Sequence, residues 1–465
     1  MVISRYMNSS LINRILICLN ILSASIIFGL ASMTEFPDAA NYIALAENLL
    51  NGNFSSDCNA EICLPDSVRT PGYPLILSFF FIFSKNLFLM KSIQLLFYFL
   101  TLWLGYKIVT KIAQHNLLVC NIFLIFTAVN IQIPYYSGTI STETVTAFFV
   151  TLFFYNLYVV EKRSFFYDAL ISSLILAALY YLRPGFLLFP FILLGLSFFK
   201  NLKLDPKQLL MQIALFICML LPYAQWNNAN HGVFKLTPIG VSGMAALNGY
   251  WYFKLPNGYV NRYMWNEVVI PDVTSPFNYS QKEIELNKLE YEKRWDDFLN
   301  NNDVAEGCQD QDNLVIYKGA STCNPIFSKF ILKRENFVTD ELFSLIMEGK
   351  ILYVQERLYS FMRLFFTGIN IYKINPEENF LKKLMRFYPF LVTFFCIFLG
   401  FFISIFFLRK SKPEEIRYFV PMMMIILYVA ASHTIFPIQA RYLVPMHMLI
   451  LIMLSINLSR FFKKL

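Results

Sequence analysis

Charged residues are scarce in this chain. Asp, Glu, Lys and Arg make up 15% of the 465 residues, whereas an average soluble domain has about 25%. Hydrophobic residues make up 57%, and Phe alone occurs 49 times. A soluble fold of this length would leave much of that apolar surface in contact with water. The composition therefore excludes a soluble enzyme, a disordered chain and a nucleic-acid-binding protein, and it indicates a polytopic membrane protein.

Other familiar patterns are also missing. The sequence has no glycine-rich loop that would hold the phosphates of a nucleotide, and no soluble cytoplasmic domain that would bind one. It has no internal repeat and no low-complexity tract. Membrane transporters are often built from repeated halves with ionisable residues at mid-membrane. The absence of such halves disfavours a transporter.

Apolar runs of about 20 residues predict membrane-spanning helices. The run from Pro71 to Phe83 is too short to cross comfortably, and we interpret it as a re-entrant or interfacial helix. The predicted fold is an all-α polytopic membrane protein of about ten spans, with interfacial helices in the first outer loop and a large, mostly helical outer domain. The spans lie near 15–33, 87–106, 117–135, 143–160, 168–182, 185–199, 208–224, 387–408, 417–435 and 441–458.

The distribution of basic residues predicts the orientation of the spans. Lys and Arg are enriched in short cytoplasmic loops, and an N-terminus on the inside leaves little beyond Arg183 and Arg441 in the short outer connections. Both termini are then cytoplasmic, and the first span has no small-residue cleavage site, so we interpret it as a retained anchor. The predicted division is 1–224, with an outer loop at 34–86, then an outer domain at 225–386 and the final spans at 387–465.

The outer regions contain two amphipathic segments and four cysteines. Glu283 to Leu299 has the spacing of a solvated helix, and Met347 to Phe366 mixes charged residues with Phe and Leu as an interfacial helix does. An even number of cysteines on an oxidising side suggests disulfides. The simplest pairing is Cys58–Cys63 and Cys308–Cys323, although four cysteines allow three pairings and a metal site is the competing interpretation.

The first outer loop contains a distinctive pair of segments. Apolar residues at positions 42, 45, 46, 49 and 50 give one face of a short helix that Asp38 opens and Gly52 closes. A plain N-cap would account for Asp38 without any chemistry. The sequence Arg69-Thr-Pro-Gly-Tyr-Pro follows and leads into the short apolar run.

Together these segments resemble the GT-C superfamily of polyprenyl-phosphate-sugar-dependent glycosyltransferases. The order is a first span, then D-x-x-x-Y-x-x-x-A-x-x-L from Asp38, then R-x-P-G-Y-P from Arg69. The pattern is similar to the protein O-mannosyltransferase-like and aminoarabinose transferase-like group, most specifically over residues 10–110. The resemblance continues in Ser141-Thr142-Glu143, in Leu182-Arg183-Pro184-Gly185 and in Gln439 to Pro445.

The resemblance implies roles for individual residues. Asp38 corresponds to the catalytic carboxylate of the family, and the sugar donor is a lipid phosphate rather than a nucleotide. Several relatives have a second acid directly after that Asp, whereas this chain has Ala39, with Glu35 three residues before Asp38. This departure leaves a divalent metal ion as an open question, and no other cofactor is implied.

The chemistry of phosphate departure suggests further site residues. A developing phosphate charge needs a cation, for which the planar fork of Arg is suited. For the arginines, the alternatives are snorkelling at the ends of spans and a solvated charge in a loop. For the tyrosines, the alternative is anchoring at the membrane interface. We also expect burial at the membrane surface to raise the pKa of Asp38 and make it a better base. The expected phosphate or sugar contacts are Arg69, Arg183, Arg441, Tyr42 and Tyr73, and the further candidates are Glu143, Glu35, His433 and His231.

These observations predict an integral-membrane glycosyltransferase of a bacterial inner membrane. It would move a monosaccharide, with inversion, from a polyprenyl-phosphate carrier to an envelope acceptor at the outer face: an O-antigen or lipopolysaccharide chain, a lipid or a protein. Besides donor and acceptor, its partners would be membrane lipids, and no nucleic acid. One alternative is a transporter or flippase for a lipid-linked sugar. The other is a membrane glycan polymerase or ligase, but that function would not account for the helix that begins at Asp38.

Overall fold

The fold was examined in a computed structural model of the chain. The structure describes residues 2–33, 38–58, 63–161, 164–240, 242–255, 280–300, 327–366, 388, 391–408, 413–436 and 439–462. Helices make up 81% of these residues, which also include one antiparallel pair of two-residue strands, β1 (Asp57–Cys58) and β2 (Cys63–Leu64). The chain is therefore helical, as its apolar runs predict.

The described residues between 2 and 231 form ten α-helices. The short helices α2 and α3 lie between the first two long helices, and 3₁₀ turns at Pro184–Phe186 and Lys200–Leu202 flank α9. The helices are α1 (Val2–Ser32), α2 (Ala39–Leu49), α3 (Gly72–Phe81), α4 (Leu87–Ile112), α5 (Leu117–Val129), α6 (Gln132–Ser137), α7 (Glu143–Tyr158), α8 (Phe165–Leu182), α9 (Phe189–Ser197) and α10 (Pro206–His231).

The second half contains the helices of the outer region and the last apolar helices. A π-helical segment at Thr393–Leu399 runs directly into α15, and a 3₁₀ turn at Ala440–Met446 runs directly into α17. The helices are α11 (Ser242–Trp251), α12 (Gln281–Asn300), α13 (Phe327–Glu348), α14 (Lys350–Phe366), α15 (Gly400–Leu408), α16 (Pro413–His433) and α17 (His447–Phe462). The helices expected over 283–299 and 347–366 are thus present as α12 and α14.

Six helices of the described chain are long and apolar enough to cross a membrane. They are Leu11–Ser32, Leu87–Ile112, Phe165–Leu182, Pro206–His231, Glu414–His433 and Arg441–Ser459. At the other four predicted spans the helices are shorter, as in the 13 residues of α5, which rise only about 20 Å against a hydrocarbon core of about 30 Å. The chain is therefore an all-α protein with six candidate spans, and the count of ten stays a prediction.

The main core joins the long helices, and α17 lies at its centre. Nearly all side chains from His447 to Ser459 are buried, including Leu449, Ile450 and Met453. By contrast, α1 exposes many apolar side chains, such as Leu11, Leu22 and Ile26. A helix that is apolar on every side fits a position at the edge of a membrane bundle, where lipid covers the exposed face.

The first outer loop folds back on the helix bundle. The predicted pairing of Cys58 with Cys63 is present as a disulfide that closes the β1–β2 hairpin. The run expected to be interfacial, Pro71 to Phe83, contains the ten-residue helix α3, which is too short to span a bilayer. Tyr42 of α2 packs edge-on against Tyr73 of α3, with ring centroids 4.9 Å apart, so the two short helices form one unit.

Gly72 allows α3 to approach α8 closely. A Cβ atom at this position would lie 2.5 Å from the carbonyl carbon and oxygen of Tyr181. Tyr181 is two residues before Arg183, and Gly72 is three residues after Arg69. The glycine of the R-x-P-G-Y-P motif therefore brings two of the candidate arginines towards each other.

We expect Gly72→Ala to destabilise the fold by about 1–3 kcal/mol, because the added methyl group overpacks a backbone contact. The measurement is the thermal unfolding midpoint of the purified protein in detergent. The matched control is Gly195→Ala in α9, where a Cβ meets no atom within 4 Å. This control should keep or slightly raise the midpoint, since Gly inside a helix costs about 0.5–1 kcal/mol relative to Ala. Equal midpoints for the two variants would contradict the role given to Gly72.

Candidate functional site

Five charged side chains form one continuous chain of ion pairs where α2, α7, α8 and the turn before α17 meet. Asp38 contacts Arg69 at 3.2 Å and Arg441 at 2.9 Å. Glu143 contacts Arg183 at 2.6 Å and Arg441 at 3.7 Å. Arg441 therefore stands between the two carboxylates, and the order of the chain is Arg69, Asp38, Arg441, Glu143, Arg183. All five are among the residues that the sequence singled out.

Asp38 opens α2 but does not act as a side-chain cap. Within the described chain, its carboxylate makes no cap hydrogen bond to the helix, and its oxygens instead face Arg69 and Arg441. The plain N-cap interpretation is therefore wrong. The side chain remains about one-third exposed, so the carboxylate lies at the edge of the site.

The expectation of a raised pKa for Asp38 is also wrong. Burial disfavours the charged carboxylate, but the positive charges of Arg441 and Arg69, and the hydrogen bonds that both donate, outweigh burial and leave the pKa below its ordinary value. The sequence alone predicts burial, whereas the lowering depends on two guanidinium groups that only the fold brings to this carboxylate. In this arrangement Asp38 is ionised but a weak base.

Arg69 is held in place through its backbone. Its N–H donates to Asp66 Oδ1 at 2.6 Å, and the N–H of Val68 donates to the same atom at 2.9 Å. The Arg69 carbonyl accepts a hydrogen bond from the Tyr223 hydroxyl at 3.2 Å. Its guanidinium lies 5.1 Å from the centre of the Tyr42 ring, within the range of a cation–π contact. The side chain is therefore directed at Asp38 by a fixed loop.

Glu143 and Arg183 form the most enclosed pair of the site. Glu143 is the first residue of α7 and is 1% exposed. Arg183 ends α8 in an extended conformation, and its Nε also donates to the Thr142 hydroxyl at 3.1 Å. The Oε2 atom of Glu143 is buried, and no hydrogen-bond partner for it lies among the described residues. The negative charge near the start of α7 also suits the helix dipole.

Arg441 is positioned by the 3₁₀ turn that leads into α17. Its Nε donates to Gln439 Oε1, and its Nη2 reaches Asp38. Gln439 begins the turn in an extended conformation. Tyr442, the next residue, packs against the His433 ring at 4.5 Å. His433 therefore lies next to the site, and its Nδ1 shares a hydrogen bond with the carbonyl of Val429.

Tyr73 is enclosed rather than open to a ligand. It is 1% exposed, and its hydroxyl donates to Gln94 Oε1 at 3.0 Å. Gln94 in turn donates to the Thr139 carbonyl at 2.6 Å, two residues before the Ser141-Thr142-Glu143 segment. Tyr73 thus supports Tyr42 from behind, and of the two tyrosines only the half-buried Tyr42 contacts Arg69.

The remaining predicted site residues are His231, Glu35 and the second cysteine pair. His231 ends α10, packs against the Trp226 ring at 5.4 Å and interacts with Asp66, which fixes the Arg69 backbone. Glu35 lies outside the described residues, and so does the proposed Cys308–Cys323 pair. Neither interpretation is tested by the structure.

Sequence reasoning gave no positioning role to three polar residues of the site. Asp66 fixes the Arg69 backbone, Gln439 holds the Arg441 side chain, and Gln94 anchors Tyr73. A side-chain amide inside an apolar span is an available signal, because a buried amide needs hydrogen-bond partners. Gln94 interrupts the second predicted span and meets that criterion.

The site has the charge of an anion site rather than of a metal site. Three guanidinium groups and two carboxylates leave a net charge of +1. Among the described residues there is no group of three His, Cys, Asp or Glu side chains that could hold a metal ion. Both carboxylates already face two arginines each, whose charge would repel a divalent cation. The described residues of the site therefore do not form a donor set that fits a metal.

We expect Glu143→Gln to destabilise the protein by about 3–5 kcal/mol, because it removes the partner of two desolvated arginines. The control is Glu47→Gln on α2, whose carboxylate pairs with Lys85 at 2.9 Å in an exposed position. Such a surface pair contributes about 0–1 kcal/mol. Unfolding midpoints in detergent measure both effects. If Glu143→Gln were as well tolerated as Glu47→Gln, the ion-pair chain would not be a structural requirement.

No family model and no curated protein matches this chain. The assignment of a function therefore depends on the residues of the site and on their geometry.

Proposed function

We propose that the protein is an integral-membrane glycosyltransferase of the GT-C type that uses a polyprenyl-phosphate-linked monosaccharide as donor. The observation that carries the proposal is the position of Asp38 between Arg69 and Arg441. The Asp38 carboxylate can accept a proton, and the guanidinium groups of Arg69 and Arg441 can hold a phosphate, within a single cluster. The sequence resemblance implies the first task for Asp38, and the chemistry of phosphate departure suggests the second for the arginines.

The proposed reaction is one displacement at the anomeric carbon. The acceptor hydroxyl oxygen forms a bond to that carbon while the bond from the carbon to the phosphate oxygen breaks. The hydroxyl proton passes to the Asp38 carboxylate, and the bonding electrons leave with polyprenyl phosphate, whose charge the arginines stabilise. A single displacement inverts the configuration of the sugar. No metal-dependent step is required, because the guanidinium groups supply the positive charge.

The lowered pKa of Asp38 suggests an order of binding. While Arg69 and Arg441 both face the carboxylate, it is a poor base. A bound donor phosphate would share those guanidinium groups, reduce their effect on Asp38 and raise its pKa. Asp38 would then become an effective base only after the donor has bound. This arrangement protects the enzyme from activating an acceptor before a sugar is present.

The cellular setting follows from the distribution of charge along the sequence. We place the site at the outer face of a bacterial inner membrane, with ten spans and both termini in the cytoplasm, because basic residues gather at the opposite ends of the predicted spans. The donor would enter laterally from the bilayer. The acceptor would be an envelope glycan such as an O-antigen or lipopolysaccharide chain, or else a lipid or a protein, recognised by the region between α10 and α15.

We expect Asp38→Asn to lower transfer by about 10²–10⁴-fold, the usual contribution of a general base. The assay uses purified protein in lipid vesicles, a set of synthetic polyprenyl-phosphate sugars and a crude envelope acceptor. Glu47→Gln serves as the control, since it changes a carboxylate of the same helix that faces Lys85 instead, and it should retain the native rate. Unchanged transfer by Asp38→Asn would refute the catalytic role. If no donor supports transfer by the native chain, but lipid-linked sugar crosses the vesicle membrane, the protein is a flippase.

We further expect transfer to be insensitive to chelators. Three arginines surround the two carboxylates and supply positive charge. Removal of divalent cations with EDTA should therefore leave the transfer rate within about twofold of its original value. Loss of a catalytic metal, which supplies several kcal/mol, would lower the rate far more. The measurement is the initial rate before and after chelation, with added Mg²⁺ or Mn²⁺ as the reversal step. A loss of activity that either ion restores would overturn this expectation.

A further inference from the structure

The helix α14 has its apolar side facing outward. Ile351 and Leu358 are 78% and 62% exposed, and Val354 and Met362 are exposed between and beyond them. These positions are three or four residues apart and so lie along one side of the helix. A surface helix of a soluble protein has the opposite arrangement, with its apolar stripe against the core.

The inward side of α14 is polar. Glu356 and Ser360 are completely buried, and Arg363 is nearly so. The Glu356 carboxylate lies 3.6 Å from the ammonium group of Lys254, which is three residues after the end of α11. The Ser360 hydroxyl donates to the Glu356 carbonyl. Water is thus excluded from the charged side of the helix, while the hydrocarbon side is uncovered.

The preceding helix shows where this apolar surface begins. Along the outer side of α13, Lys333, Asn336 and Asp340 are exposed. Farther along the same helix, Phe343 and Met347 are exposed as well, beside the polar Ser344 and Glu348. Large apolar side chains therefore join the polar ones on the exposed side of α13 towards its end. A mixed surface of this kind is typical of a helix at a membrane interface.

The apolar surface also leads into the membrane bundle. Phe365, near the end of α14, stacks on Phe401 of α15 with ring centroids 4.6 Å apart. The apolar segment around α15 exposes Phe395 and Phe406 in turn. The buried side of α14 thus joins it to a segment whose own exposed residues include large apolar side chains, Phe395 and Phe406.

We propose that Phe343, Met347, Ile351, Val354, Leu358 and Met362 form a lipid-contact stripe that inserts into the outer leaflet of the bilayer. Lys350 is exposed beside this stripe, where its long side chain can reach the head groups. The helix lies in the interface with its apolar side in the acyl chains, as amphipathic membrane helices do. The outer region is thereby attached to the membrane between α13 and α15.

Insertion of the lipid-contact stripe also supports the ion-pair chain. Arg357 of α14 donates to the Thr434 carbonyl at 2.6 Å and to the Gly249 carbonyl at 2.9 Å. Leu364 of α14 belongs to the same buried cluster as Tyr442, the neighbour of Arg441. The inner side of the membrane-bound helix therefore packs against the segment that carries the central arginine.

Cysteine accessibility tests the proposal on the full chain. Ile351→Cys and Leu358→Cys are compared with Leu289→Cys, which replaces an exposed leucine on α12, among charged neighbours. Each variant is placed in a lipid nanodisc loaded with a single copy and treated with a water-soluble maleimide. The labelling of the native chain is subtracted as background. We expect the two α14 variants to react at least about tenfold more slowly than Leu289→Cys, because thiolate formation is suppressed in hydrocarbon.

Two outcomes would overturn the proposal. Equal labelling rates at positions 351, 358 and 289 would place the stripe in water. Protection that is absent with one copy per disc, but present with two, would show that a second copy of the chain covers it.

Discussion

The desolvated ion pairs around Arg441 are the interaction on which the rest of this structure depends. Charged groups removed from water are stable only when they are paired and hydrogen-bonded. Here one guanidinium is shared by Asp38 and Glu143, and each carboxylate has a second arginine on its far side. The surrounding fold must therefore fix five side chains from distant segments at once. A displacement of any segment would leave a charge without its partner.

The surrounding structure meets this demand with short, rigid connections. Gly72 lets α3 approach the backbone of α8, and Asp66 fixes the loop before Arg69. The 3₁₀ turn at Ala440–Met446 aims Arg441, and the first residue of α7 supplies Glu143. The site is thus held at the ends of helices whose apolar bodies form the core.

The same constraint explains why the inner side of α14 is polar. Arg357 joins that helix to the carbonyl groups at the end of α16 and of Gly249, close to the segment that leads to Arg441. Gly249 permits this contact, since a Cβ there would lie against the Ile435 carbonyl oxygen. Polar contacts inside and hydrocarbon outside are the natural arrangement where lipid replaces water as the surrounding medium.

The sequence by itself determined the membrane class, the positions of the apolar helices and the residue types of the candidate site. Composition and the spacing of apolar residues can be taken directly from the sequence. Charges are rare beside the apolar runs, so a few charged residues stand out, namely Asp38, Arg69, Arg183 and Arg441. Only the tertiary structure decided that Arg441 lies between Asp38 and Glu143, that the pKa of Asp38 is lowered, and that Tyr73 is enclosed behind Tyr42. Coulomb energy and desolvation depend on distances in space, and residues at opposite ends of a chain have no distance until the helices have packed.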